Sequence, residues 1–138
     1  MSVFKSPFEI QAGVARRIGR ARQLTDEQDS SWAAARRILV EAGLTPPLVA
    51  ELPIDLETVH ELVRRGELVQ VAPTLAYLPD QVTDLQRALA AMADGFTVAD
   101  FRDNLGVSRK YAVPILEWAD RQGLTRRQGD RRYPRRDR

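Results

Sequence analysis

Arg109 and Lys110 stand side by side directly after Ser108, and Arg126, Arg127, Arg131 and Arg132 follow as two pairs around Gln128-Gly129-Asp130. Cations at this spacing suit one task above others, the holding of phosphates on a polyanion. The charge balance points the same way. From Ser108 to Arg138 there are ten lysine and arginine residues against four acids, while everything before Ser108 has eleven against fifteen. The whole-chain charge of +2 hides that asymmetry. A one-sided basic end is the electrostatic footprint of a nucleic-acid binder.

Other chemistry is poorly provided for. The 138 residues include no cysteine and a single histidine, which argues against disulfides, thiol catalysis, a catalytic triad and a transition-metal site. His60 reads as a surface residue. Asp100 and Asp103 share one short helix and read as cap and helix-dipole partners, not as an acid/base pair. No G-x-x-x-x-G-K-[ST] occurs, so no P-loop is expected. The expectation is a non-enzyme with no catalytic residue, no metal and no cofactor. No apolar run approaches the roughly 20 residues of a membrane span, and MSVFKSPFEI lacks the apolar centre of a signal peptide. The expected setting is cytoplasmic, without membrane contact.

The elements around the cations follow from local rules. Thr97 and Asp100 form a T-x-x-D helix start. Val98, Phe101 and Leu105 recur at helical spacing, and Gly106 suits a helix end. Ser108 suits the N-cap of a second helix, whose buried stripe is Ala112, Ile115, Leu116 and Ala119. Arg109 and Lys110 oppose the dipole at that start, a placement that gains only when an anion arrives. Pro114 should remove one hydrogen bond and bend this helix. Gln122-Gly123 closes it, and the two basic segments then form a hairpin with its turn at Gln128-Gly129-Asp130. Helix, turn, basic helix and basic ribbon make a winged helix-turn-helix. Tyr111 and Trp118 lie one heptad apart. Both read mainly as packing residues, with Tyr111 near enough to the helix start to touch a ligand.

The same layout is expected once before, as a repeat of about 65 residues. Residues 1–29 form a leader or the edge of a preceding domain, with Val14, Ile18 and Ala21 as a possible basic amphipathic stripe and Leu24 to Ser31 as linker. Ser30 or Ser31 caps a helix carrying Trp32, Ala35, Ile38, Leu39 and Ala42. A helical turn at Leu48, Val49 and Leu52 precedes a helix capped by Asp55 with Leu56, Val59, Leu62 and Val63. Glu67 to Val71 and Leu75 to Leu78 are the strands of a first wing. Asp80 then caps a helix with Val82, Leu85, Leu89 and Met92. Between Ser30 and Asp94 there are five basic and nine acidic residues, so this copy is expected to act as a spacer and packing partner, joined fairly rigidly to the second.

The run FRDNLGVSRKYAVPILEWADRQGLTRRQGD closely resembles the last winged-helix domain of bacterial SelB, the selenocysteine-specific translation elongation factor. AGLTPP and RRGELVQVAPTLAYLP resemble its penultimate winged helix. The resemblance spans roughly Arg36 to Tyr133. It implies binding to the SECIS-type hairpin in a selenoprotein message that recodes UGA, tethering the factor for selenocysteine incorporation. It also implies that the GTPase activity of the family lies outside these residues. Ribosome and selenocysteinyl-tRNA would be reached only through the full-length factor.

The expected fold is mainly α with small β-hairpin wings (α+β), as two tandem winged-helix domains. Residues 30–79 are the first, a spacer, and 80–133 the second, RNA-binding; 134–138 form a basic tail. The expected RNA-binding residues are Arg102, Ser108, Arg109, Lys110, Tyr111, Arg126, Arg127, Arg131 and Arg132, in a monomer. The alternative is a winged-helix DNA-binding regulator with the same helix in the major groove. No coiled-coil heptad or long dimerisation helix favours it.

Overall fold

The computed structural model describes residues 23–135. The expected amphipathic stripe at Val14 to Ala21 and the end of the basic tail lie outside the described residues. Five α-helices and two antiparallel hairpins make up the rest, an α+β arrangement dominated by helix.

The first helix, α1, spans Asp26–Ala42. It begins earlier than Ser30, because Thr25 and Gln28 form a capping box: Gln28 N–H donates to Thr25 Oγ1 and Thr25 N–H to Gln28 Oε1. Asp26, Glu27 and Asp29 in its first turn suit the dipole. The stretch read as a linker is therefore a helix start. A short 3-10 turn at Val49–Glu51 follows. Helix α2, Leu56–Arg65, is capped by Asp55, which accepts from Thr58 N–H at 2.7 Å, and closes at Gly66 in the left-handed region. His60 is exposed on it.

Strands β1, Val69–Ala72, and β2, Leu75–Tyr77, form the first hairpin. Helix α3 spans Pro79–Ala90. Its N-cap is Leu78, not Asp80. Pro79 takes the first helical position, where its missing N–H costs nothing, and Gln81 Oε1 accepts from Leu78 N–H at 2.9 Å. Helices α4, Val98–Leu105, and α5, Arg109–Arg121, come next. Helix α5 runs through Pro114 without a break. Its stripe Ala112, Ile115, Leu116 and Ala119 is buried throughout, and that burial outweighs one missing hydrogen bond. Strands β3, Thr125–Gln128, and β4, Arg131–Pro134, end the fold. Pro134 is buried in β4 opposite Thr125, so it belongs to the strand and not to the tail.

Two apolar cores meet at the first hairpin. One gathers Leu24, Leu39, Val49, Val59, Leu62 and Leu68 with Ala76 and Leu78 of the hairpin's return side. The other gathers Leu85, Leu89, Phe101, Ile115 and Leu116 with Val71, Leu75 and Tyr77. Successive strand side chains point to opposite faces, and β2 is buried at all three positions. The hairpin is therefore a wall between the cores, and the second core draws on residues from both sides of position 80.

Polar bonds fasten the wall. Tyr77 is fully buried, and its hydroxyl donates to the Leu44 carbonyl at 3.0 Å. A bulge between Gln70 and Ala72 leaves Val71 outside the strand register. The Val71 carbonyl accepts instead from Arg121 Nη2 at 2.7 Å.

Burial, and then the neighbouring Tyr111, push the Tyr77 hydroxyl well above the ordinary tyrosine range. A pKa raised by folding gives stability that is complete below the unfolded value of about 10 and is lost at higher pH. Tyr77→Phe should cost about 1 kcal/mol at neutral pH and flatten the alkaline loss. Urea unfolding at pH 8 and pH 11 checks both effects.

Candidate nucleic-acid interface

The turn between α4 and α5 presents the first group of cations. Helix α4 is held at its start by a reciprocal cap: Thr97 N–H donates to Asp100 Oδ2 at 3.0 Å and Asp100 N–H to Thr97 Oγ1 at 3.1 Å. Those bonds, with a smaller contribution from Arg131, hold the Asp100 carboxyl below its ordinary value. Asp100 is thus a cap, and Asp103 is paired on the surface with Arg102 at 3.0 Å. Gly106, at φ 74, takes the left-handed conformation that reverses the chain.

Ser108 has the backbone conformation of an N-cap, but its side chain makes no cap hydrogen bond. The first turn of α5 contains no acid, whereas each of the other four α-helices has at least one. Arg109 and Lys110 are both exposed there. Helix N–H groups, the positive end of the dipole and two cations converge, a combination that repels cations and attracts phosphate. Arg102 adds to this surface, because an exposed pair with Asp103 holds it by less than about 1 kcal/mol.

Tyr111 does something else. It is half-buried, its hydroxyl donates to the Pro46 carbonyl at 3.2 Å, and Lys110 Nζ lies 5.2 Å from its ring centre. Its hydroxyl thus joins the start of α5 to the loop after α1. Trp118 is buried in the core.

The second group of cations is on the β3–β4 hairpin, and its members do not share a face. Arg126 pairs with Tyr133 and Gln128 with Arg131 on one side; Thr125 pairs with Pro134 and Arg127 with Arg132 on the other. Arg126, Arg127 and Arg131 are exposed. Arg126 lies over the Tyr133 ring at 4.6 Å. Arg127 Nε donates to the Gly129 carbonyl and Arg131 Nη1 to the Gly95 carbonyl.

Arg132 corrects the expectation. It is 3% exposed and faces inward. Its Nε and Nη2 donate to both Asp120 oxygens, at 2.9 Å for Nη2 and Oδ2, and Asp120 Oδ1 also accepts from Thr125 Oγ1. Its backbone pairs with Phe96, which adds a third short strand contact. Arg132 locks the wing to the end of α5 and is closed to any ligand. The period of two in a strand puts Arg131 and Arg132 on opposite faces of the ribbon, so that only one of the two can face α5. Asp120 gives no such local sign, since its partner lies twelve residues away.

The buried pair and the exposed arginines should behave differently. Removing Arg132 leaves a partly buried carboxylate, so Arg132→Ala should cost about 2–4 kcal/mol. Arg131→Ala should cost roughly 0.5 kcal/mol or less. Chemical denaturation of the two variants checks the contrast.

Comparison with known proteins places this geometry. A family model described as the winged helix of elongation factor SelB matches residues 87–133. The selenocysteine-specific elongation factor of Escherichia coli is 31% identical over 114 residues, 77% of this chain and 19% of that protein. The one of Desulfomicrobium baculatum is 27% identical over 134 residues, 89% of this chain and 21% of that protein. The chain therefore spans about a fifth of the length of these curated relatives. The mRNA-binding domain of Escherichia coli SelB, solved with SECIS RNA, superposes with a TM-score of 0.62 at 27% identity, covering 82% of this chain and all of that one. A bacterial EF-Sec crystal structure shares the fold, with a TM-score of 0.55 at 23% identity over 80% of this chain and 18% of that one. Residues 87–133 thus match the winged-helix model of elongation factor SelB, and the described fold is similar to the mRNA-binding domain of Escherichia coli SelB.

Proposed function

We propose that this chain binds a SECIS-type stem-loop in selenoprotein mRNA and so tethers an elongation factor for selenocysteine incorporation at UGA. The observation that carries this reading is the likeness, over 82% of this chain and all of that one, to a SelB domain solved with SECIS RNA; the exposed Arg109 and Lys110 at the start of α5 support it. Binding here is non-catalytic and needs no cofactor. Ribosome and selenocysteinyl-tRNA are reached only through the complete factor, in the cytoplasm, with this part acting as a monomer.

The start of α5 is the main contact. Arg109 and Lys110 meet backbone phosphates, helped by the free N–H groups of the first turn and by the Ser108 hydroxyl. Arg102 shifts from Asp103 to the RNA backbone. Arg126, Arg127 and Arg131 add wing contacts. Tyr111 holds the helix start in place. The narrow major groove of A-form RNA cannot be read by side chains, so sequence discrimination comes from unpaired loop or bulge nucleotides.

The test is filter or fluorescence binding of a recoding-type hairpin to Arg109→Ala and Lys110→Ala variants. Each should weaken binding about tenfold and together they should reduce the log–log salt slope by about 1–2, with thermal unfolding unchanged. Unchanged affinity with an intact fold would remove the start of α5 from the interface.

A further inference from the structure

The arginines of the second half lie at two separate places. Arg109 and Lys110 open α5, and the wing is anchored near its other end by Asp120. Eleven helical rises of 1.5 Å separate Arg109 from Asp120 by about 16 Å. At the wing end lies an open cleft of ≈ 700 Å³, whose lining includes Arg126, Arg127, Tyr133 and Arg135, with the acids Asp94 and Asp120. That volume falls in the range of small-molecule sites.

The cleft is equipped for more than charge. Arg126 has two partners, the Tyr133 ring with its centre 4.6 Å from Cζ and Gln128 Oε1 at 3.3 Å from Nη1. These contacts restrict its guanidinium before any ligand arrives, and Arg126 remains exposed. Planar guanidinium groups and aromatic rings are the surfaces on which unpaired bases stack. A base inside a duplex already has neighbours on both faces and cannot use such a plane. Arg127 and Arg135 also line the cleft.

We propose that this cleft binds a single-stranded nucleotide of the message next to the stem-loop, its base stacked on the Arg126–Tyr133 pair. The proposal rests on the RNA-binding reading above and deepens it. The start of α5 holds the stem-loop, and the wing cleft captures the unpaired strand that leaves it. Two contacts on one RNA then act together, the second being intramolecular once the first has formed.

The experiment compares three RNAs on the whole chain: a recoding-type hairpin, the same hairpin with a short single-stranded extension, and the extended hairpin with abasic extension residues. The readout is the affinity ratio of extended to plain hairpin within each protein variant. The wild type should show a ratio of about ten, as one stacked base provides, and the abasic extension should return it to about one. Arg126→Lys, which keeps the charge and loses the plane, should also give about one. Arg109→Ala should weaken all three RNAs and keep the ratio.

A wild-type ratio near one, a gain that survives loss of the bases, or a gain that survives Arg126→Lys would each overturn the stacking site. If the plain hairpin is not bound at all, the stem-loop reading fails. The cleft is then judged on the single-stranded segment alone, where base-dependent binding supports it and base-independent or absent binding overturns it.

Discussion

A hairpin buried on both faces sets the geometry of the whole fold. Leu75, Ala76 and Tyr77 are consecutive, and all three are buried. Alternation therefore sends Ala76 into one core and its two neighbours into the other. Full burial of a side chain such as Val71 or Leu75 is worth about 1.5–3 kcal/mol. Single neutral hydrogen bonds, such as that from Tyr77 to Leu44, add about 1 kcal/mol each. Apolar burial thus decides that the halves are joined, and the polar bonds decide in which register. The bulge at Val71 shows the division of labour. It releases one carbonyl from the strand ladder, and Arg121 at the end of α5 takes it.

The consequence for function is orientation. Helix α5 is tied to the first half at both ends, by Tyr111 to Pro46 and by Arg121 to Val71. Residues 30–94 carry five basic and nine acidic residues, and their hairpin is occupied in packing between the two cores. The wing is fixed by the same kind of economy: Arg132 is withdrawn from the surface to neutralise Asp120. Three wing arginines stay exposed, and the fourth holds the wing on the end of α5.

Much of this was legible in the sequence. Periodicity located all five α-helices, and glycine placed the ends of α2 and α4, because the left-handed conformation there penalises other residues. The stripe of α5 and the exposure of His60 followed from spacing and charge. Helix starts were less legible. Thr25 with Gln28 and Pro79 with Gln81 compete with nearby Ser30, Ser31 and Asp80, and tertiary contacts choose between them; Gln81, for example, also donates to the Leu39 carbonyl. The inward turn of Arg132 was hidden because charge suggested exposure while strand alternation implied the opposite. The shared hairpin was hidden as well. The repeat read from pattern implies two units packed side by side, and only packing reveals that one unit's wing lies in the other's core.

The account stands on the claim that a rigidly held basic helix start recognises a compact RNA. The most direct measurement is a salt titration of binding, comparing a recoding-type RNA hairpin with duplex DNA of similar length. The account predicts a marked preference for the hairpin, with a log–log slope that reports several phosphate contacts and a residual preference at high salt. Equal, weak and wholly salt-driven binding to both nucleic acids would contradict it, reducing the basic half to an unselective electrostatic surface.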